Sequence, residues 1–195
     1  MLQMASTKKT LLLETALNLF NEHGFHNTGI DMVQSVSGVS KTTMYKYFKS
    51  KDELILEVLR MRHEQFSEWM DGRVAEFAKS YEDKPCGKLR AMFDALHEWI
   101  QRDSFCGCNF INACAEFTCC SHPIHQLATE HKLSVQSYVQ RLLDDAGIPQ
   151  SKKLSVQICL LMDGAIVYAH TVGQKEAARI AKEMMIVQLE SIACG

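Results

Sequence analysis

Between Lys41 and Lys51 the chain carries four lysines and no carboxylate, although its formal net charge is −2 over 195 residues. Affinity for a polyanion therefore has to come from a local concentration of cations, and this stretch supplies one. Lys41, Thr42, Thr43, Tyr45, Lys46 and Tyr47 form a polar set, while Met44 and Phe48, four residues apart, form an apolar one. Short hydroxyls and cations projected from the first turns of a helix suit base edges and phosphates, provided that the opposite face is packed. The chemistry on offer is reading of duplex DNA.

A second constellation lies farther on. Five of the eight cysteines fall between Cys106 and Cys120, with His122, His125 and His131 close behind. Metal binding, thiol oxidation and plain core packing are all open to such a cluster. Cys106 and Cys108 are separated by one residue, short of the roughly two to four common in zinc sites. Cys119 and Cys120 are adjacent and point to different helix faces, and Cys114 sits in an apolar stripe as a small buried hydrophobe. No metal and no cofactor is expected. Cys106 or Cys108 with His122 or His125 is the one local nucleophile and base pair. Without a glycine-rich phosphate loop, a His-Glu zinc motif or a serine elbow, the chain is not expected to be an enzyme.

The elements that must present these residues are helical. Leu13, Ala16, Leu17 and Phe20 share one face of a helix from Lys8 to His23, which Gly24 ends. Thr28, with Asp31 three residues on, reads as a variant capping box for a short helix reaching Ser37. Gly38 breaks it, and Ser40 is the N-cap of the next helix, through Phe48. Two short helices joined at a glycine make a helix-turn-helix candidate. Ser50 and Glu53 make a full capping box for a longer amphipathic helix that continues past Trp69.

The segment from Leu12 to Leu59, LLETALNLFNEHGFHNTGIDMVQSVSGVSKTTMYKYFKSKDELILEVL, resembles the DNA-binding region of the tetracycline-repressor (TetR) family nearly end to end. Its LFxExGF, GVSKxTxYxYF and SKxEL elements stand in the family order and spacing. The resemblance implies a three-helix head, a homodimer built from the last two helices and a ligand cavity among the middle ones. Carried over by position, Thr28 and Lys51 look like phosphate contacts, because helix N-termini attract anions. Ser40 caps the recognition helix; Lys41, Thr42 and Thr43 look like base-edge readers; Tyr45 and Tyr47 look like groove or backbone contacts; Lys46 is open to either role. Gln34 departs from the family, which has a small residue facing the recognition helix there. The expected partners are a palindromic double-stranded operator and a small-molecule effector of unknown identity, with repression as the family default.

The remainder is also all-α. Leu89, Met92, Phe93, Leu96 and Ile100 make one stripe; Phe110, Ala113, Cys114 and Phe117 make another. Pro123 opens a helix in which Val135, Tyr138, Val139 and Leu142 share a face, stopped at Gly147 and Pro149. From Ser151 to Val172 the apolar residues are too many for one stripe, which predicts a helix buried on several sides. The last helix, about Lys175 to Ile192, carries Ala177, Ile180, Ala181 and Met184. Met92, Phe93, Leu96, His97, Trp99, Phe110, Phe117 and Tyr168 have the composition of an effector pocket, and equally that of a core. The division expected is a DNA-binding domain over 1–50 and an effector-binding and dimerisation domain over 51–195. No run approaches the roughly 18 uninterrupted apolar residues of a membrane span, and Met1 to Thr10 lacks an export signal, so a cytoplasmic protein with reduced thiols is expected.

Overall fold

The computed structural model describes residues 8–193, which are helical with no strand among them. In chain order the helices are α1 (Lys8–His23), α2 (Ile30–Ser37), α3 (Lys41–Tyr47), α4 (Lys51–Ala78), α5 (Gly87–Gln101), α6 (Asn109–Glu116), α7 (Pro123–Asp145), α8 (Ser151–Val172) and α9 (Ala177–Ala193). A short 3-10 turn over Lys79–Tyr81 follows α4.

Two compact units emerge. One holds the described residues up to Gln65 together with Asn109–Glu130; the other holds Phe66–Cys108 and the described residues from His131 on. In the first, α1, α2 and α3 pack on one another around Leu12, Ala16, Phe20, Phe25, Val33, Met44 and Phe48, all buried. Gly24 and Gly38 end α1 and α2 at φ +82° and +66°, a left-handed backbone that side chains with a Cβ resist. The capping box at α4 forms: Glu53 N–H donates to Ser50 Oγ at 3.1 Å, and the Glu53 carboxylate turns back to accept from Lys49 N–H at 2.6 Å.

The box expected at α2 does not form. Gly29, not Thr28, is the N-cap, and no side chain caps it. Thr28 is 1% exposed, with its hydroxyl 2.8 Å from the Gly24 carbonyl and 3.1 Å from that of Leu19. It looks back at α1 because the turn after Gly24 leaves carbonyls there without helical partners.

In the second unit α8 packs on α9, and α5 on both. Leu154, Ile158, Met162, Ala165, Ile166 and Ala169 are buried, but α8 is not enclosed on several sides. Val156, Leu160, Val167, Tyr168 and Val172 are exposed, as are Ile180, Met184 and Val187 of α9. The surplus of apolar residues on α8 thus forms a second, open face. By length and a mean hydropathy of 1.3, α8 is also apolar enough to cross a bilayer, which a search for uninterrupted apolar runs overlooks. Cys114 is partly exposed instead of buried.

Candidate nucleic-acid interface

The recognition segment is built from its cap outward. Ser40 has extended backbone angles, and its hydroxyl accepts from Thr43 N–H at 3.3 Å while lying 2.9 Å from Thr43 Oγ1. Its carbonyl takes the first helical bond, from Met44 N–H at 3.0 Å. Met44 and Phe48 are each 1% exposed, and Val39 is buried beside them. With one side of a two-turn helix fixed inward, Lys41, Thr42, Tyr45, Lys46 and Tyr47 face solvent, the two tyrosines each 40% exposed. Thr43, occupied by the cap, is half-exposed.

The lysines differ in their engagements. Lys41 Nζ meets Asp31 Oδ1 of α2 at 2.9 Å, and that hydrogen bond and charge raise its pKa, so it is cationic at any physiological pH. Both groups are well exposed, so a phosphate can displace the carboxylate at little cost. Lys49 Nζ donates to the Tyr45 carbonyl at 3.3 Å, across the end of α3. Lys51 Nζ donates to the His26 carbonyl at 2.9 Å, which ties the start of α4 to the turn between α1 and α2. Lys46 projects from the middle of the exposed face.

The structure thus brings together eight of the nine sequence-derived positions, Ser40 to Tyr47 on α3 and its cap and Lys51 on α4. Thr28 is the exception. Its hydroxyl is buried and committed to α1 carbonyls, so this side chain holds the turn and not a phosphate. Gln34, the family departure, is half-buried, and its carbonyl receives the Gly38 N–H at 3.0 Å.

The effector candidates are divided between the two units. Met92, Phe93, Leu96 and Trp99 are buried on α5; Trp99 packs its ring edge-on to Phe66 at 5.1 Å and to Phe105 at 5.1 Å. His97 is pushed below its ordinary pKa by burial and by Arg179, and Gln101 Nε2 lies 3.4 Å from its Nδ1. Phe110 is buried on α6. Phe117 is stacked between the rings of His26 (4.8 Å) and His122 (4.9 Å), so its faces are already used. Tyr168 is 55% exposed on the open face of α8, because Ala165 and Ala169 take the inward positions of that turn. Phe117 and Tyr168 line neither the cleft beside Tyr138 nor the one beside Cys159.

Two clefts in the second unit use other residues. One, of about 320 Å³, is lined by Asp71, Val74 and Ala75 of α4, Lys88 of α5, and Tyr138 and Arg141 of α7 among others. Burial and the Asp71 carboxylate raise the Tyr138 phenol far above its ordinary range, so it stays a donor. The other, of about 190 Å³, lies between α7 and α8, where Lys132 Nζ meets Asp163 Oδ1 at 2.5 Å beside Cys159. Among the described residues no group of three or more His, Cys, Asp or Glu is placed to hold a metal ion, and no disulfide is present.

What the sequence reading missed is on α6. The Glu116 carboxylate accepts from Phe25 N–H at 2.8 Å, His26 N–H at 2.6 Å and His26 Nδ1 at 2.8 Å. Burial pushes this carboxyl up, but the three donors outweigh it and hold it below its usual value. No local pattern announces a contact across some ninety residues.

The comparisons agree with this geometry. A family model described as bacterial regulatory proteins, tetR family, matches residues 12–58, which run from α1 into α4. Over 155 residues, 80% of this chain and 79% of the relative, the sequence is 26% identical to the HTH-type transcriptional regulator YjdC of Escherichia coli. A 55-residue stretch is 44% identical to the HTH-type transcriptional regulator RutR of Escherichia coli, covering 28% of this chain and 26% of that protein. Among solved structures, a TetR-family transcriptional regulator from Streptomyces coelicolor is similar at a TM-score of 0.82 and 26% identity, over 95% of each chain. The reduced form of NemR from Escherichia coli shares the fold at a TM-score of 0.79 and 18% identity, over 91% of this chain and 94% of that one.

Proposed function

Because the chain belongs to the TetR family and is a helix-turn-helix transcriptional regulator, we propose that it is a dimeric repressor that reads a palindromic operator and is released by a small-molecule effector. The observation that carries this reading is the capped, two-sided helix α3. Met44 and Phe48 lock one side into the head, and Lys41, Thr42, Tyr45, Lys46 and Tyr47 are exposed on the other. Lys41, Thr42 and Thr43, at its N-terminal turn, take the base-reading positions; Lys51 takes phosphate, and Lys46 takes either a base edge or a phosphate.

Dimerisation is supported by the open apolar face of α8 and α9. Leu160 is 68% exposed there, and Val156, Val167, Val172, Ile180, Met184 and Val187 accompany it. A second copy related by a two-fold axis would bury the same residues from both sides. The two recognition helices must then stand about 34–36 Å apart, one turn of DNA. Residues 1–50 serve as the DNA-binding domain and 51–195 as the part that senses and dimerises, with reduced thiols in the cytoplasm.

Release follows from linkage. An effector in the second unit, with the α5 residues Met92, Phe93, Leu96 and Trp99 as walls of a space that opens on binding, favours a head spacing that no longer fits the grooves. Typical couplings are about 1–3 kcal/mol and reciprocal, so operator must weaken effector by the same factor.

Selection of bound DNA from a random duplex pool tests the reading. A palindromic product with half-sites one helical turn apart is expected, and failure to enrich any duplex overturns it.

A further inference from the structure

α6 is joined to the DNA-reading head at both of its ends. At its first residue, Asn109 Nδ2 donates to Asn21 Oδ1 of α1 at 2.6 Å, and Asn109 is buried. At its last residue, the Glu116 carboxylate receives the backbone N–H groups of Phe25 and His26 and the His26 ring. A carboxylate only accepts, so His26 Nδ1 carries the proton in this bond. The approach is close: a Cβ at Gly24 would lie 3.0 Å from Glu116 Oε1, so the glycine serves both the left-handed turn and the seat of the carboxylate.

The residues that follow Glu116 extend the grip. Phe117 meets the buried Phe25 ring edge-on at 6.1 Å and stacks on His26, and His122 stacks on the far face of Phe117. His122 Nε2 also lies 3.6 Å from Asp52 Oδ2, in the first turn of α4. The carbonyl of His26 receives Lys51 Nζ from that same turn. Helix α3 lies in the chain between the α1–α2 turn and the start of α4, and both flanks are thus held by one short segment, 116–122.

We propose that Glu116 is the positioning residue of the head: its carboxylate fixes the α1–α2 turn to α6, so that the recognition helix adopts the orientation α6 dictates. The proposal rests on the regulator reading above and deepens it by naming the residue through which a shift of α6 reaches the DNA. Glu116 itself touches no DNA. Its removal therefore lowers the fraction of heads aligned for binding and leaves the number of phosphate contacts unchanged.

The test uses full-length chain and the duplex that the wild-type protein selects. Glu116→Gln keeps the shape but turns an amide N–H₂ toward backbone donors, and Glu116→Asp keeps the charge with a shorter reach. Hydrogen exchange at the Phe25 and His26 amides should rise in Glu116→Gln. The operator Kd per folded dimer should weaken by roughly tenfold, within the range of measured site-to-site couplings, and less in Glu116→Asp. The slope of log K against log salt should not change, since no counterion-releasing contact is lost. A merely structural role would reduce the folded fraction and leave the Kd of the remainder alone. Wild-type Kd in the folded fraction of Glu116→Gln, or of Glu116→Asp should the first not fold, overturns the proposal. A wild-type chain that selects no duplex sinks the regulator reading and this one with it; wild-type binding that survives the substitution sinks this one only.

Discussion

Thr28→Val separates two roles that one position in this fold can play. The side chains are nearly isosteric, and the site is 1% exposed, so the exchange removes a buried hydroxyl and little else. That hydroxyl has one proton, shared between carbonyls at 2.8 and 3.1 Å. Loss of such a bond costs about 0.5–1.5 kcal/mol, and leaving the turn carbonyl short of a partner adds about 1–2 kcal/mol. The added methyl returns about 0.8 kcal/mol by burial. The net expectation is about 0.7–2.7 kcal/mol of destabilisation, or roughly 1–11 °C in Tm for a chain of this size. The operator Kd of the folded protein should stay at the wild-type value. Had Thr28 held a phosphate, its neutral hydroxyl would release no counterion, so its loss would weaken operator binding at every salt concentration by about 1.5–3 kcal/mol per subunit, the worth of a hydrogen bond to a charged group, and leave the slope alone. Thermal unfolding and anisotropy titrations at four or five salt concentrations read both quantities. An unchanged Tm with a weakened Kd would refute the structural role and restore the phosphate contact.

Lys46→Ala should weaken operator binding by about 1–3 kcal/mol if the ammonium reads a base, or flatten the salt slope by about one per subunit if it holds phosphate; an isotherm unchanged at every salt concentration removes it from the interface. Leu160→Glu places a carboxylate in the proposed dimer face, where an uncompensated buried charge costs roughly 3–5 kcal/mol; sedimentation should show monomer, and a retained dimer would move the interface elsewhere. Thiol reactivity should separate two cysteines as pH rises. The hydrogen bond from Ser121 lowers the exposed Cys119 thiol, whereas burial, aided by Asp163, pushes Cys159 up to about 11. The thiolate is the nucleophile, so iodoacetamide at mildly alkaline pH should label Cys119 first and Cys159 last by mass spectrometry, and the reverse order would contradict the two environments.

Much of the fold was legible because helices are written locally. The spacing of Leu13, Ala16 and Phe20, the glycines at 24 and 38, and the caps at Ser40 and Ser50 each act within a turn or two of chain, and all appear where they were expected. Thr28 failed for the same reason that Ser40 succeeded. A hydroxyl before a helix serves either the N–H groups ahead or the carbonyls behind, and only the path of the chain between Gly24 and Gly29 decides which. The apolar surplus on α8 was visible as composition, but composition does not say whether a face is covered by the same chain or by another. Phe117 and Tyr168 carry the same ambiguity, since an aromatic that lines a cavity and one that stacks on a histidine have the same letter.

Glu116 lies beyond any such pattern. Its value comes from three N–H donors some ninety residues away in sequence, two of them backbone groups that every residue but proline carries. The recognition helix, by contrast, must carry its side chains in a fixed order, because base edges and phosphates are read by type and position. A surface that binds an outside partner is therefore spelled out in residue identities, whereas the joints that orient it can be made from backbone and one well-placed carboxylate. For this chain, the side chains exposed on α3 are readable from the sequence, while the contacts that fix the α1–α2 turn to α6 appear only once the chain is folded.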